Sequence, residues 1–157
     1  MSGACARLIV MWLVVLATAL SCRRHLSPED QIREAIGNAA EGVRERKVKK
    51  VVAIVSAQYA DHEGRDRQAI VDLVRAQVLL RPNVYLVTRV SSVDCGDSGQ
   101  CHAVVLAAMA SVPAQSLSDL ANSQADVYRF ELTMVAEDGA WRICQASWFA
   151  ASVKDLL

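Results

Sequence analysis

DVYRFELTMVAEDGAWRICQASW, residues 126–148, carries the clearest periodicity in the chain. Tyr128, Phe130, Leu132 and Met134 alternate with Arg129, Glu131 and Thr133. One face of an extended strand is therefore apolar and the other polar. Glu137-Asp138-Gly139 supplies a tight turn, with glycine available for positive φ. A second strand follows from Trp141 to Phe149. The stretch reads as a β-hairpin whose apolar face needs a cover.

Working outward, the two-residue period continues upstream. Val84–Val93 predicts one strand and His102–Val112 another. The second is apolar on both sides, with Val104, Leu106 and Ala108 on one and Val105, Ala107 and Met109 on the other. That pattern belongs to a central strand covered on both faces. CGDSGQC, residues 95–101, is the polar loop between these strands. Residues 113–125 form a Ser-rich connection, with a short helical turn at Leu117–Ala121.

Before Pro82 the period is helical. Ser27-Pro28-Glu29-Asp30 opens the first helix: Ser27 caps it, Pro28 suits its first position, and the acids complement its positive end. Ile32, Ile36, Ala39, Ala40 and Val43 form its apolar stripe. Across RERKVKK, residues 44–50, the stripe slips before resuming at Val48, Val51, Val52 and Val55, which predicts a second, shorter helix. The basic run is read as a solvated face rather than a lipid contact. A polar turn, Tyr59–Asp66, precedes a third helix with Ile70, Leu73, Val74 and Val78 on one stripe. Pro82 ends it. Three helices followed by four strands in hairpin order predict an α+β fold, with the helices packed on one face of a curved, mainly antiparallel four-stranded sheet.

The chain has 157 residues, a formal charge of zero, 53% hydrophobic residues, 7 Gly and 3 Pro. This length suits one core-bearing domain. The balanced charge excludes a general nucleic-acid binder, and the apolar content excludes a disordered chain. Leu8–Leu20, LIVMWLVVLATAL, is uncharged but shorter than the roughly 20 residues that span a bilayer, and it reads as the apolar core of an export signal. Ala19-Leu20-Ser21-Cys22 resembles a bacterial lipobox, which makes Cys22 the lipid-attachment residue and mature N-terminus. Ala17-Thr18-Ala19 offers an ordinary cleavage site instead, giving a soluble periplasmic or secreted form, and retention as an uncleaved anchor is a third reading. The expected organisation is a signal at 1–21, a tether at 22–27, one α+β domain at 28–150 and a tail at 151–157. With the lipobox used, Arg23, Arg24 and His25 would lie among lipid headgroups; otherwise they form a solvated start to the mature chain.

Cys5 leaves with the signal. Cys95 and Cys101 close a hairpin in a chain bound for an oxidising compartment, and a Cys95–Cys101 disulfide is expected. A metal or redox pair is the rival, but only His102 is near enough to assist, so no metal and no cofactor are expected. Cys144 reads as a small buried hydrophobe.

Tyr59-Ala60-Asp61-His62-Glu63-Gly64-Arg65-Asp66-Arg67 with its following helix, the strand beginning Tyr85-Leu86-Val87-Thr88-Arg89-Val90, and the closing hairpin together resemble the nuclear transport factor 2-like superfamily, in particular its uncharacterised exported bacterial members. The likeness covers about residues 28–150. It implies a cystatin-like cone in which three helices close a curved sheet around an apolar pocket. It also implies that the pocket either binds a ligand or partner, or hosts isomerase or dehydratase chemistry on an acid–base pair.

The expected pocket lining is Tyr128, Phe130, Leu132, Met134 and Trp148. None of these is an acid or base, so no catalytic residue is assigned. Asp61, His62 and Arg89 are the candidates if chemistry occurs. Against that, Asp61 and Asp66 suit turn-fixing beside Gly64 and capping of the third helix. The leading expectation is an exported lipoprotein, held to the membrane by its N-terminal lipid and binding a small apolar ligand or a protein partner. A pocket enzyme and a homodimer formed through the sheet are the alternatives.

Overall fold

A computed structural model of the chain describes residues 26–80, 85–110, 125–152 and 154. The signal, Cys22, the helical turn expected at Leu117–Ala121 and most of the tail lie outside these residues.

Helix α1 spans Pro28–Arg44 and begins as its sequence requires: the Asp30 amide donates to Ser27 Oγ at 3.1 Å, with proline in the first turn. Its stripe buries Ile32, Ile36 and Ala40. Arg46 has φ 57°. Its amide donates to the Val43 carbonyl at 3.0 Å, and the Lys47 amide donates to Gly42 at 2.8 Å. These are the two bonds of a Schellman stop. The slip in the apolar stripe is therefore a left-handed turn between helices. Helix α2, Val48–Val52, starts directly after it and folds back onto Gly42. Helix α3, Arg67–Leu80, is capped by Asp66, whose Oδ1 accepts from the Ala69 amide at 2.9 Å. Its buried face is Ile70, Val71 and Val78, with Val74 against the core. Leu73, expected on that face, is 38% exposed, because Val71 points inward in its place.

Four strands follow: β1 Tyr85–Cys95, β2 Gln100–Ala110, β3 Asp126–Glu137 and β4 Ala140–Ala151. They pair in chain order, each antiparallel to the next. Cys95 opposes Cys101, and the two are joined by a disulfide with sulfurs 2.09 Å apart. The β3–β4 turn places Asp138 at φ 52° and Gly139 at φ 75°, the pair of positive angles that a twisted two-residue hairpin demands. Bulges interrupt the register between Val90 and Ser92 and between Thr133 and Met134. The second changes the expected role of Cys144. The extra residue lifts it out of the alternation, so its thiol is only partly buried and donates to the Thr133 carbonyl at 3.4 Å.

The inner sheet face carries Val90, Ala103, Val105, Leu132, Met134, Ile143 and Ala146, packed against Ile32, Ile36, Val55, Tyr59 and Ile70 from the helical layer. On the outer face, Leu106, Ala108, Ala110 and Val127 are buried within the single chain. Both sheet borders are occupied. Arg33 and Arg44 reach from α1 to donate to the Val90 and Leu86 carbonyls of β1, at 3.1 and 3.0 Å. At β4 the segment 54–60 docks alongside: Ile143 N–H donates to Ile54, Ser56 N–H to Ile143, and Ala60 N–H to Cys144. No helix among the described residues is long and apolar enough to cross a membrane.

Candidate functional site

The segment that docks on β4 also leads into a polar cluster on the inner side. Tyr59 is buried, and its hydroxyl donates to Asp61 Oδ2 at 3.1 Å. Asp61 turns the chain around itself: its Oδ1 accepts from the Glu63 and Arg65 amides, both at 3.0 Å. Arg65 Nε donates to Oδ2 at 2.8 Å, and its other arm pairs with Glu63. The guanidinium then lies over the Trp148 ring, 4.2 Å from its centroid. One carboxylate thus joins the turn, the core tyrosine and the last strand.

Burial alone would raise the Asp61 carboxyl. The Arg65 side chain and amide, the Tyr59 hydroxyl and the Glu63 amide outweigh it and hold the group at about 2. Tyr59 moves the other way, to about 12, through burial first and its bond to the Asp61 carboxylate second. The Asp61 bond holds Arg65 above its ordinary value. A proton-transfer group works best with a pKa near the operating pH. Here the carboxylate and the phenol have been driven apart, away from neutrality. The arrangement holds a fixed negative charge beside a fixed positive one.

The three catalytic candidates are not brought together. Asp61 sits in this cluster, His62 next to it is exposed on the turn, and Arg89 lies exposed on β1 opposite Leu106, in register with the outer face. Of the expected lining, Met134 is 0% exposed and Leu132 nearly so, both inside the core cluster. Tyr128, Phe130 and Trp148 are partly open and form a row, with centroids 6.4 Å apart for the first pair and 6.2 Å for the second. Such tilted spacings are typical of favourable aromatic contacts. Tyr59 and Arg65 complete the site and were not singled out from sequence. The signal was present as Tyr59-x-Asp61-x3-Arg65, but nothing local says that an arginine four residues along will find a tryptophan on a distant strand. His102 is exposed on β2, and no group of three or more His, Cys, Asp or Glu among the described residues could hold a metal ion.

No family model matches the chain, and no curated protein matches it. Solved structures do. A protein of unknown function with a cystatin-like fold from Nostoc punctiforme is 16% identical, with a TM-score of 0.58 over 77% of this chain and 75% of that one. The fold is NTF2-like. The protein Aln2 from a Streptomyces species is 14% identical, with a TM-score of 0.60 over 80% of this chain and 90% of its own. A protein from Thiobacillus denitrificans, assigned as a calcium/calmodulin-dependent protein kinase type II association domain, is 10% identical, with a TM-score of 0.57 over 75% and 93%.

Proposed function

We propose that the chain is an exported domain, tethered through a lipid on Cys22, whose NTF2-like fold binds an apolar ligand at the Tyr128–Phe130–Trp148 row. The observation that carries the binding role is geometric. Tyr128, Phe130 and Trp148 form a half-open row, and the carboxylate paired with Arg65 beside Trp148 is already engaged at 2.8 Å, so what the row offers a guest is aromatic surface beside a closed ion pair. The Cys95–Cys101 disulfide supports passage through an oxidising compartment.

Two measurements test the two halves. Labelled fatty acid is incorporated by cells expressing the full chain and not by Cys22→Ala; equal labelling refutes the tether. The environment-sensitive probe N-phenylnaphthylamine brightens with the purified protein, and Phe130→Leu and Trp148→Phe each weaken that response several-fold. An unaltered response removes the row as the binding surface.

The pocket-enzyme alternative has one observation in its favour, a carboxylate beside Trp148. It requires substrate to displace Arg65 and bring the Asp61 carboxyl up toward neutrality. A homodimer through the sheet is the structural alternative; burial of Leu106, Ala108 and Ala110 within one chain leaves it the polar half of the outer face.

A further inference from the structure

The outer face between that buried apolar patch and the disulfide hairpin has a chemistry of its own. Strand register sets two transverse rows there: His102, Thr133 and Gln145 lie side by side, and Val104, Glu131 and Ser147 form the next row. Cross-strand neighbours on one face stand about 5 Å apart. The rows enclose an open depression of about 440 Å³, with the five polar side chains as walls. Small-molecule sites run from about 300 to 1,000 Å³.

Charge selects the ligand class. Arg129 Nε donates to Glu131 Oε1 at 3.1 Å, so the carboxylate in the depression carries its own counter-ion. Toward the β3–β4 turn, Arg142 and Glu137 from successive rows pair likewise, at 3.5 Å. On the β1 side this face ends in Asp94, beside His102, and Arg89, beside Leu106. Among the described residues it therefore carries three carboxylates and three guanidiniums, and has no net charge with which to attract phosphate, nucleic acid or a metal cation. It offers mixed donors and acceptors at short spacing: a carboxamide, two hydroxyls, an imidazole whose Nδ1 lies 3.4 Å from Thr133 Oγ1, and a carboxylate. At the rim, Phe149 pairs in register with Arg129 and is 53% exposed, which leaves an apolar plate beside the polar rows.

We propose that this depression binds an uncharged, polyhydroxylated ligand, an oligosaccharide. Its hydroxyls would exchange hydrogen bonds with the rows around Glu131 and Gln145, and the C–H face of one ring would lie on Phe149. A charged ligand gains nothing from a neutralised lining, whereas a sugar uses donor and acceptor together. This site is on the opposite side of the sheet from the aromatic row and does not depend on it.

The purified full-length chain, held in detergent, is applied to an array of neutral and acidic glycans together with Gln145→Ala, Phe149→Ala and Trp148→Phe. Gln145 and Phe149 are exposed, so their replacement spares the core, and far-ultraviolet circular dichroism verifies the fold of each variant. Neutral glycans are captured by the wild type, Gln145→Ala and Phe149→Ala each weaken capture about ten-fold, the scale of one neutral hydrogen bond or a comparable contact, and Trp148→Phe leaves it unchanged. The proposal is overturned by a preference for acidic glycans, by no capture at all, or by capture that survives both outer-face variants. Sedimentation showing a dimer that Phe149→Ala dissociates also overturns it, since a second copy would then occupy the depression.

Discussion

Asp61 illustrates how one side chain can have several local duties and still be misjudged from sequence. Its place beside Gly64 forecast a turn-fixing role, and the two amides on Oδ1 are that role. The contacts of Oδ2, to Tyr59 and Arg65, are nearly as close in sequence; what no local pattern encodes is the seat of Arg65 on Trp148 of β4. The Asp61 carboxyl falls from 3.8 to about 2 on folding, so its stabilisation is fully present above about pH 4 and drains away as pH falls toward 2. For Tyr59, raised from 10.0 to about 12, the stabilisation holds below pH 10 and is lost as pH climbs through 12. Asp61→Asn is expected to cost about 1.5–3 kcal/mol at neutral pH, the range for hydrogen bonds to a charged group. It also removes the corresponding component of the acid transition. Urea melts of both proteins at several pH values check this; identical midpoints at neutral pH would contradict the cluster.

Elements were legible where their signals are local. Ser27, Pro28 and Asp66 sit at the helix starts they announce, and the alternation of 126–136 became β3. The α1–α2 junction was legible only as a slip, because its left-handed position is Arg46 and not the customary glycine. The glycine that matters is Gly42. A β-carbon there would stand 3.0 Å from both Lys50 Cβ and Val51 Cγ2 and 3.1 Å from the Val51 amide nitrogen, whereas Gly37 on the same helix has nothing within 4 Å. Gly37→Ala should therefore raise stability by about 0.5–1 kcal/mol through helix propensity, and Gly42→Ala should lower it despite the same propensity gain. Thermal melts of the two variants separate the effects by sign. In the β1–β2 hairpin, Cys95→Ser with Cys101→Ser opens a short loop and should cost about 2 kcal/mol on the chain-entropy scale. Equal melting of the double variant and the oxidised wild type would show the crosslink to be idle.

At the scale of the molecule, the α+β order was readable because successive elements alternate between two clear periods. The borders of the sheet were not, because what covers them comes from far along the chain. An uncovered strand border templates pairing with other chains. Here arginines from α1 cap one and the 54–60 segment takes the other. Arg33→Ala with Arg44→Ala should leave the fold in place, with a modest loss of stability, and increase concentration-dependent aggregation followed by light scattering. No change in scattering would mean that the border is protected by other means. The Cys144 bulge belongs to the same scale: a register irregularity is invisible to an alternation count, and it moved an expected core thiol toward the surface.

Sequential pairing of the four strands has a consequence in time. Each strand meets its partner as soon as both are available, so the sheet can grow in the order of its sequence with short closures. The bed for the 54–60 segment is β4, the last strand to join. Until it arrives, Arg65 has no tryptophan to rest on. The stacking of the ion pair on the aromatic row is therefore finished at the end of assembly, and a chain halted before Trp148 would own a nearly complete scaffold with its latch undone.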